Sequence, residues 1–240
     1  MGMISVLQSL LNTALFVTTT TLSFLNSALH GEIQGRVEVA AAYVHVDVIK
    51  DNNTEKKMDL PAVKGDATIV FHEGWCLKPT VLYADKEGRI FTAGIGVGRC
   101  IPFMECFCVT PSVGVSYTDL QTDLKDFDPV FGELHFDTEF ESTSPYVNID
   151  LSYKFCDCWR LVGNVQYAWS RSHSKYKERT FETVSHDKGS SSGFNYGGMI
   201  EYDFTDCWSI NLGAAYNNSL SKDKDGLRGF GTKIGIVRWF

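Results

Sequence analysis

Seven cysteines punctuate the chain, at Cys76, Cys100, Cys106, Cys108, Cys156, Cys158 and Cys207. Thiols can pair as disulfides, ligate a soft metal or act as nucleophiles. The densest run, CIPFMECFC over residues 100–108, has no histidine and no C-x2-C spacing, which sets zinc behind disulfide chemistry. The count is odd, so at least one thiol stays free or bonds another chain. A second group, Ser172, His173, Ser185, His186 and Asp187, contains the residue types of a nucleophile–base pair. Common polar types crowded into one polar stretch are expected without catalysis. The reading is therefore a non-enzyme, with no cofactor and no metal.

The elements that must position these groups show themselves as an alternation. The stretches YKFCDCWRLVGNVQYAWS and YDFTDCWSINLGAAYNNS each carry a Phe, a Trp four residues on and a Tyr eight residues after that, with Asp-Cys between. Every second residue is then mostly apolar: Trp208, Ile210, Leu212, Ala214 and Tyr216, and likewise Trp159, Leu161, Gly163, Val165 and Tyr167. The same phase runs from Trp75 to Tyr83 and from Phe107 to Tyr117. A period of two is the strand period. The segments ahead of each turn alternate as well, and about three residues join each pair, which makes hairpins.

Aromatics at both ends of an apolar stripe choose the solvent. Eight residues from Trp to Tyr rise ~26 Å along a strand, or ~20 Å along an axis tilted by ~40°. That nearly spans the ~25 Å apolar band of an outer-membrane barrel with an aromatic belt at each interface. Trp75, Tyr83, Phe107, Tyr117, Trp159, Tyr167, Trp208 and Tyr216 are the belt candidates. The connections are asymmetric too: short near 72–74, 104–106, 156–158 and 205–207, long and polar at 51–64, 119–144, 172–191 and 219–228. The expected fold is all-β, an antiparallel transmembrane up-and-down β-barrel with short periplasmic turns and long extracellular loops. Ten strands are counted, near 36–49, 65–72, 75–84, 89–103, 107–118, 145–155, 159–170, 193–204, 208–218 and 229–240, with eight or twelve as alternatives. The first strand changes phase near Tyr43–Val44, which points to a bulge there.

These hairpins, with the ending GTKIGIVRWF, resemble bacterial outer-membrane β-barrel proteins over nearly the whole mature chain. The resemblance implies the cell outer membrane, surrounding lipid, and a barrel-assembly machinery that reads the terminal Phe240 behind Ile236, Ile234 and Phe230. Arg238 departs from that alternation, although a long Arg near the interface can snorkel. Cysteines gathered at the short turns face the oxidising periplasm, where disulfides persist. Cys100 and Cys108, on adjacent strands and both inward, are the best intrachain pair. The arrangement resembles the disulfide-crosslinked envelopes of chlamydia-like bacteria, which implies disulfide-linked envelope proteins as partners.

The N-terminus, mildly apolar and without Lys or Arg before Arg36, reads as a signal peptide over 1–30 cleaved near Ala28 to Gly31, with the barrel over 31–240. A net charge of −7 excludes a nucleic-acid binder. Inward positions hold Lys78, Asp150, Lys154, Arg160, Asn164, Glu201, Asp203 and Lys233, with several glycines from Gly94 to Gly235. Either they line a small polar pore, or their charges pair and plug the lumen of a structural envelope protein. Adhesive binding of an external ligand through 119–144 and 172–191, one acidic and one basic, is the alternative function. A barrel hydrolase and a soluble secreted β-sandwich stand further back.

Overall fold

The computed structural model describes residues 34–50, 52–86, 88–128, 132–178, 184–221 and 225–240, so the expected signal peptide lies outside the described residues. Eleven strand segments follow in order: β1 (Gln34–Lys50), β2 (Asn53–Val70), β3 (Trp75–Asp85), β4 (Gly88–Arg99), β5 (Ile101–Met104), β6 (Phe107–Asp128), β7 (Gly132–Cys156), β8 (Trp159–Glu178), β9 (Val184–Thr205), β10 (Trp208–Leu220) and β11 (Gly226–Trp239). Each pairs antiparallel with its chain neighbour, except that β4 and β5 both pair with β6. The ring closes where β1 meets β11, from Arg36 opposite Trp239 to Ile49 opposite Gly226.

β4 and β5 are two pieces of one stave, which makes ten staves. The break has a local cause. The Cys100 amide leaves the ladder and donates to the Gly74 carbonyl at 2.7 Å, in the turn His72–Gly74. Pro102, with no N–H to give, follows inside β5, where the register slips. At the seam the start of β1 and the residue after β11 exchange backbone hydrogen bonds, the Gly35 amide donating to the Phe240 carbonyl at 2.8 Å and the Phe240 amide to the Gly35 carbonyl at 3.1 Å.

The outward stripe of every stave changes chemistry at one height. On β8 it reads Trp159, Leu161, Gly163, Val165, Tyr167 and Trp169, and then Arg171, His173, Lys175 and Lys177. On β7 it runs from Phe155 up to Pro145 and then to Thr143, Glu141 and Glu139. Exposed large apolar side chains lie within this band, among them Ile149, Leu161, Leu212, Ile234 and Ile236. A soluble sandwich would bury that face; here it is the outside of a closed barrel, and the sandwich alternative is excluded. The belt candidates lie on the outward face, with Trp159 packed on Tyr202 and Tyr167 on Phe194, each pair at 4.8 Å between centroids.

Two expectations are corrected. The stretches 51–64, 119–144 and 172–191, expected as loops, are largely paired strand: β2 starts at Asn53, β6 and β7 run together up to Asp128 and Gly132, and β8 and β9 up to Glu178 and Val184. Their backbone ladders continue from registers fixed in the membrane, although water on both faces removes the apolar alternation that marks a strand. The phase change near Tyr43 is no bulge either. The β1–β11 register is continuous there, and the one irregularity of β1 against β2 falls between Val48 and Ile49. What changes is the solvent. Above Tyr43 the outside is wet, so His45 and Asp47 face out, and Val44, Val46 and Val48 turn into the barrel with Met58, Leu60, Ala62, Ala84, Ile90 and Leu120.

Candidate functional site

Below that apolar cluster the lumen carries a layer of charge. Its cations are Arg36, Lys64, Lys78, Arg160 and Lys233; its anions are Glu38, Asp66, Asp150, Glu201 and Asp203. The signs balance. Arg160 bonds Glu201 at 2.7 Å and reaches Asp203 at 3.5 Å, while Arg36 bonds Glu38 at 2.7 Å and reaches Glu201 at 3.3 Å. Lys233 pairs with Glu38 and approaches Asp66 at 3.9 Å, and Lys78 pairs with Asp150. Both guanidiniums of the group stack on Trp239, Arg160 at 4.3 Å and Arg36 at 5.5 Å, and the Trp239 indole donates to Ser209 at 2.8 Å. Glu201 and Glu38 are wholly buried.

Strand alternation builds this layer. Residues two apart share a face, so Arg36 and Glu38, Lys64 and Asp66, and Glu201 and Asp203 each enter the lumen from one stave. Glycines then make room for larger neighbours instead of widening a channel. A Cβ on Gly96 would stand 2.6 Å from the Tyr146 hydroxyl, one on Gly114 2.5 Å from the Tyr146 ring, and one on Gly197 2.0 Å from the Asn164 amide oxygen. Against β8–β10 the upper lumen is different: small residues such as Ala168 and Ser170 line it, and inward Ala215 is exposed.

Of the sequence-derived lumen candidates, Lys78, Asp150, Arg160, Glu201, Asp203 and Lys233 stand in the charged layer, Asn164 lies above it against Gly197, and Lys154 is exposed at the periplasmic rim. Sequence reasoning missed Arg36, Glu38, Lys64 and Asp66. The readable signal was two opposite-charge pairs spaced by two, but Lys64 had been placed in a loop and strand 1 had been given a phase change.

The thiols fall into two sets. Cys100 and Cys108 share the Thr110 hydroxyl, at 3.4 and 3.8 Å, and Cys76 is wholly buried beside them, its sulfur 3.3 Å from where a Cβ on Gly98 would be. Cys156, Cys158 and Cys207 are exposed at the periplasmic turns, and Cys106 is half-buried; all seven are thiols in this structure. The backbone carbonyls of Cys106, Cys158 and Cys207 accept from Lys154, Asp203 and Trp239 of the next stave, which holds the turns in a row. Outward Arg238 stacks on Trp208 at 4.9 Å, which accommodates its break in the terminal alternation.

The polar group once weighed for catalysis is split by the sheet. Ser172, Ser185 and Asp187 share the inward parity, while His173 and His186 are outward, so neither histidine can reach those hydroxyls as a base. Above the outer belt, His45 bonds Asp59 at 2.8 Å and lies 3.4 Å from Asp47. The Asp59 hydrogen bond, despite partial desolvation, raises the imidazole pKa above its ordinary value.

Residues 71–233 match the family described as Protochlamydia outer membrane protein. No curated protein matches the sequence. The fold is similar to that of the outer membrane protease OmpT from Escherichia coli, with a TM-score of 0.61 at 8% identity over 87% of this chain and 96% of that one. It is similar also to the translocator domain of the autotransporter NalP from Neisseria meningitidis, with a TM-score of 0.50 at 8% identity over 97% of this chain and 98% of that one.

Proposed function

The chain belongs to the Protochlamydia outer membrane protein family, and on that premise we propose that this barrel of the cell outer membrane is a narrow ion pore constricted by its charged layer. The observation that carries the reading is ten balanced charges inside the lumen. Apolar side chains of similar volume would fill a mere scaffold as well or better, because buried ion pairs recover little beyond their desolvation cost. Permeant ions and water can stand in for either partner of such a pair. The open side of the upper lumen gives them a vestibule. Similarity to a protease at 8% identity bears on the fold alone, and catalysis has no part in this reading.

Planar-bilayer recording tests it. The balanced layer should give a small conductance with weak ion selectivity. Lys78–Asp150 is a pair partly open to the lumen, its side chains 22 and 23% exposed. Asp150→Asn leaves Lys78 unneutralised and should shift selectivity toward anions. A folded barrel that stays silent across the voltage range would refute the pore.

A second reading rests on the exposed turn thiols. Cys156, Cys158 and Cys207 face the oxidising side, in positions suited to bridges with neighbouring envelope proteins. Protein taken from the membrane without reductant should then run as higher bands that reductant collapses. The intact mass of the same sample reads the proposed removal of residues 1–30. Capture by the barrel-assembly machinery through Phe240 belongs to the proposal as well; deleting Phe240 should lower the membrane-inserted fraction, and unchanged insertion would count against it.

A further inference from the structure

We propose that the outward face of β8 and β9 just above the membrane, centred on Arg171 and Lys188, is a binding site for the phosphate groups of outer-leaflet glycolipid headgroups. The inference starts from height. On β8 the outward stripe passes directly from Trp169, the last residue of the aromatic belt, to Arg171. Two residues of tilted strand rise about 5 Å, the step from an interfacial ring to the headgroup phosphates. Outward side chains at that level look sideways into the headgroup layer and away from the barrel mouth. A cation there meets lipid phosphate first.

The local build fits an anion. Arg171 lies opposite Thr143 on β7 and Ser190 on β9, so two hydroxyl-bearing residues stand beside it on the outward face and line the same groove. A groove of about 560 Å³ opens at this place, lined by Trp169, Arg171, Thr143, Ser190, Ser192 and Leu220. It exists because β10 stops at Leu220, opposite Ser192, while β8 and β9 continue upward. One row higher, Lys188 stands opposite His173 on the free edge of β9. Arg171 and Lys188 have no ion-pair partner among the described residues, whereas Lys175 is held by Glu139 at 3.0 Å. A planar guanidinium with hydroxyls at its sides grips a phosphate by two parallel hydrogen bonds, and a nearby ammonium adds charge. The indole of Trp169 and the Leu220 side chain supply the apolar floor that a lipid's glycan and first methylenes need. On β7 the Lys188 row carries Glu141 and the row above it Glu139, so the site is confined to one side of the barrel.

The test uses the full barrel in mild detergent and native mass spectrometry, with three probes: bisphosphorylated lipid A, the same lipid stripped of its phosphates, and inorganic phosphate. Phosphorylated lipid should be retained at least about tenfold better than the stripped form, and R171Q with K188Q should remove most of that preference. Glu141→Gln, which takes a competing carboxylate off the His173 row, should raise retention. Heat-modifiable migration of each variant shows that it is folded, and the wild-type comparison of the two lipids stands without any variant. Equal retention of the two lipids would overturn the proposal. So would inorganic phosphate binding as tightly as the lipid, which would make this a site for free anions.

Discussion

Truncating Glu201 to alanine is expected to cost the barrel about 3–5 kcal/mol of unfolding free energy, the penalty for stranding buried charge. Glu201 is wholly buried between two guanidiniums, 2.7 Å from Arg160 and 3.3 Å from Arg36. Both arginines are also held against Trp239, so neither can turn away to water without giving up that stacking. Glu38 and Asp203 stay as partial partners, and this keeps the cost below that of a wholly isolated ion. The comparison is Glu139→Ala, which breaks the Lys175 pair above the membrane. There the two side chains are 45 and 50% exposed, water replaces the lost partner, and the cost should stay under about 1 kcal/mol. Urea unfolding of the refolded barrel measures both. Equal small costs would mean that bulk water already reaches the charged layer, and the constriction would have to lie elsewhere.

That contrast between membrane level and rim also explains what could be read from the sequence. Strands crossing the membrane were legible because lipid on one side and a polar lumen on the other force a strict alternation. Trp159 to Trp169 and Trp208 to Tyr216 could be assigned a face residue by residue. Above the belt the rule lapses. Segments such as 172–178 and 184–191 have water on both faces, their composition is that of a loop, and only the backbone ladder inherited from below makes them strand. β1 shows a harder case. Its side chains keep one phase from Val37 to Val48, but the apolar class moves from odd to even positions at Tyr43, so a pattern reader sees a slip where the chain has none. The lumen chemistry was half visible. Charged types at inward positions could be named stave by stave. Which pairs they form depends on staves far apart in sequence, such as Glu38 with Lys233 or Lys78 with Asp150, and the alternation within one strand carries no information about that. The inward glycines suggested empty space, but Tyr146 and Asn164 occupy the room that they leave.

The inversion of the apolar face above Tyr43 makes two leucines of the same size unequal. Leu60 is wholly buried inside the barrel, packed in the cluster with Val46, Met58 and Leu120, whereas Leu161 lies on the lipid face, half exposed on the bare protein. Leu60→Ala should cost about 3–5 kcal/mol, and Leu161→Ala about 2 kcal/mol. Both substitutions forfeit the transfer of the same methylenes out of water. Only Leu60 leaves a cavity behind, because its neighbours sit on hydrogen-bonded staves that cannot collapse inward. At Leu161 an acyl chain flows into the gap, and no void persists. The difference between the two costs is therefore the cavity term by itself, readable from urea unfolding in lipid vesicles. If the two leucines prove equal, the upper cluster is yielding or wet, and the vestibule must extend through it toward β1 and β2. If Leu60 is the costlier, half of the outer mouth is a rigid dry wall, and ions can enter only along the small polar side chains of β8–β10.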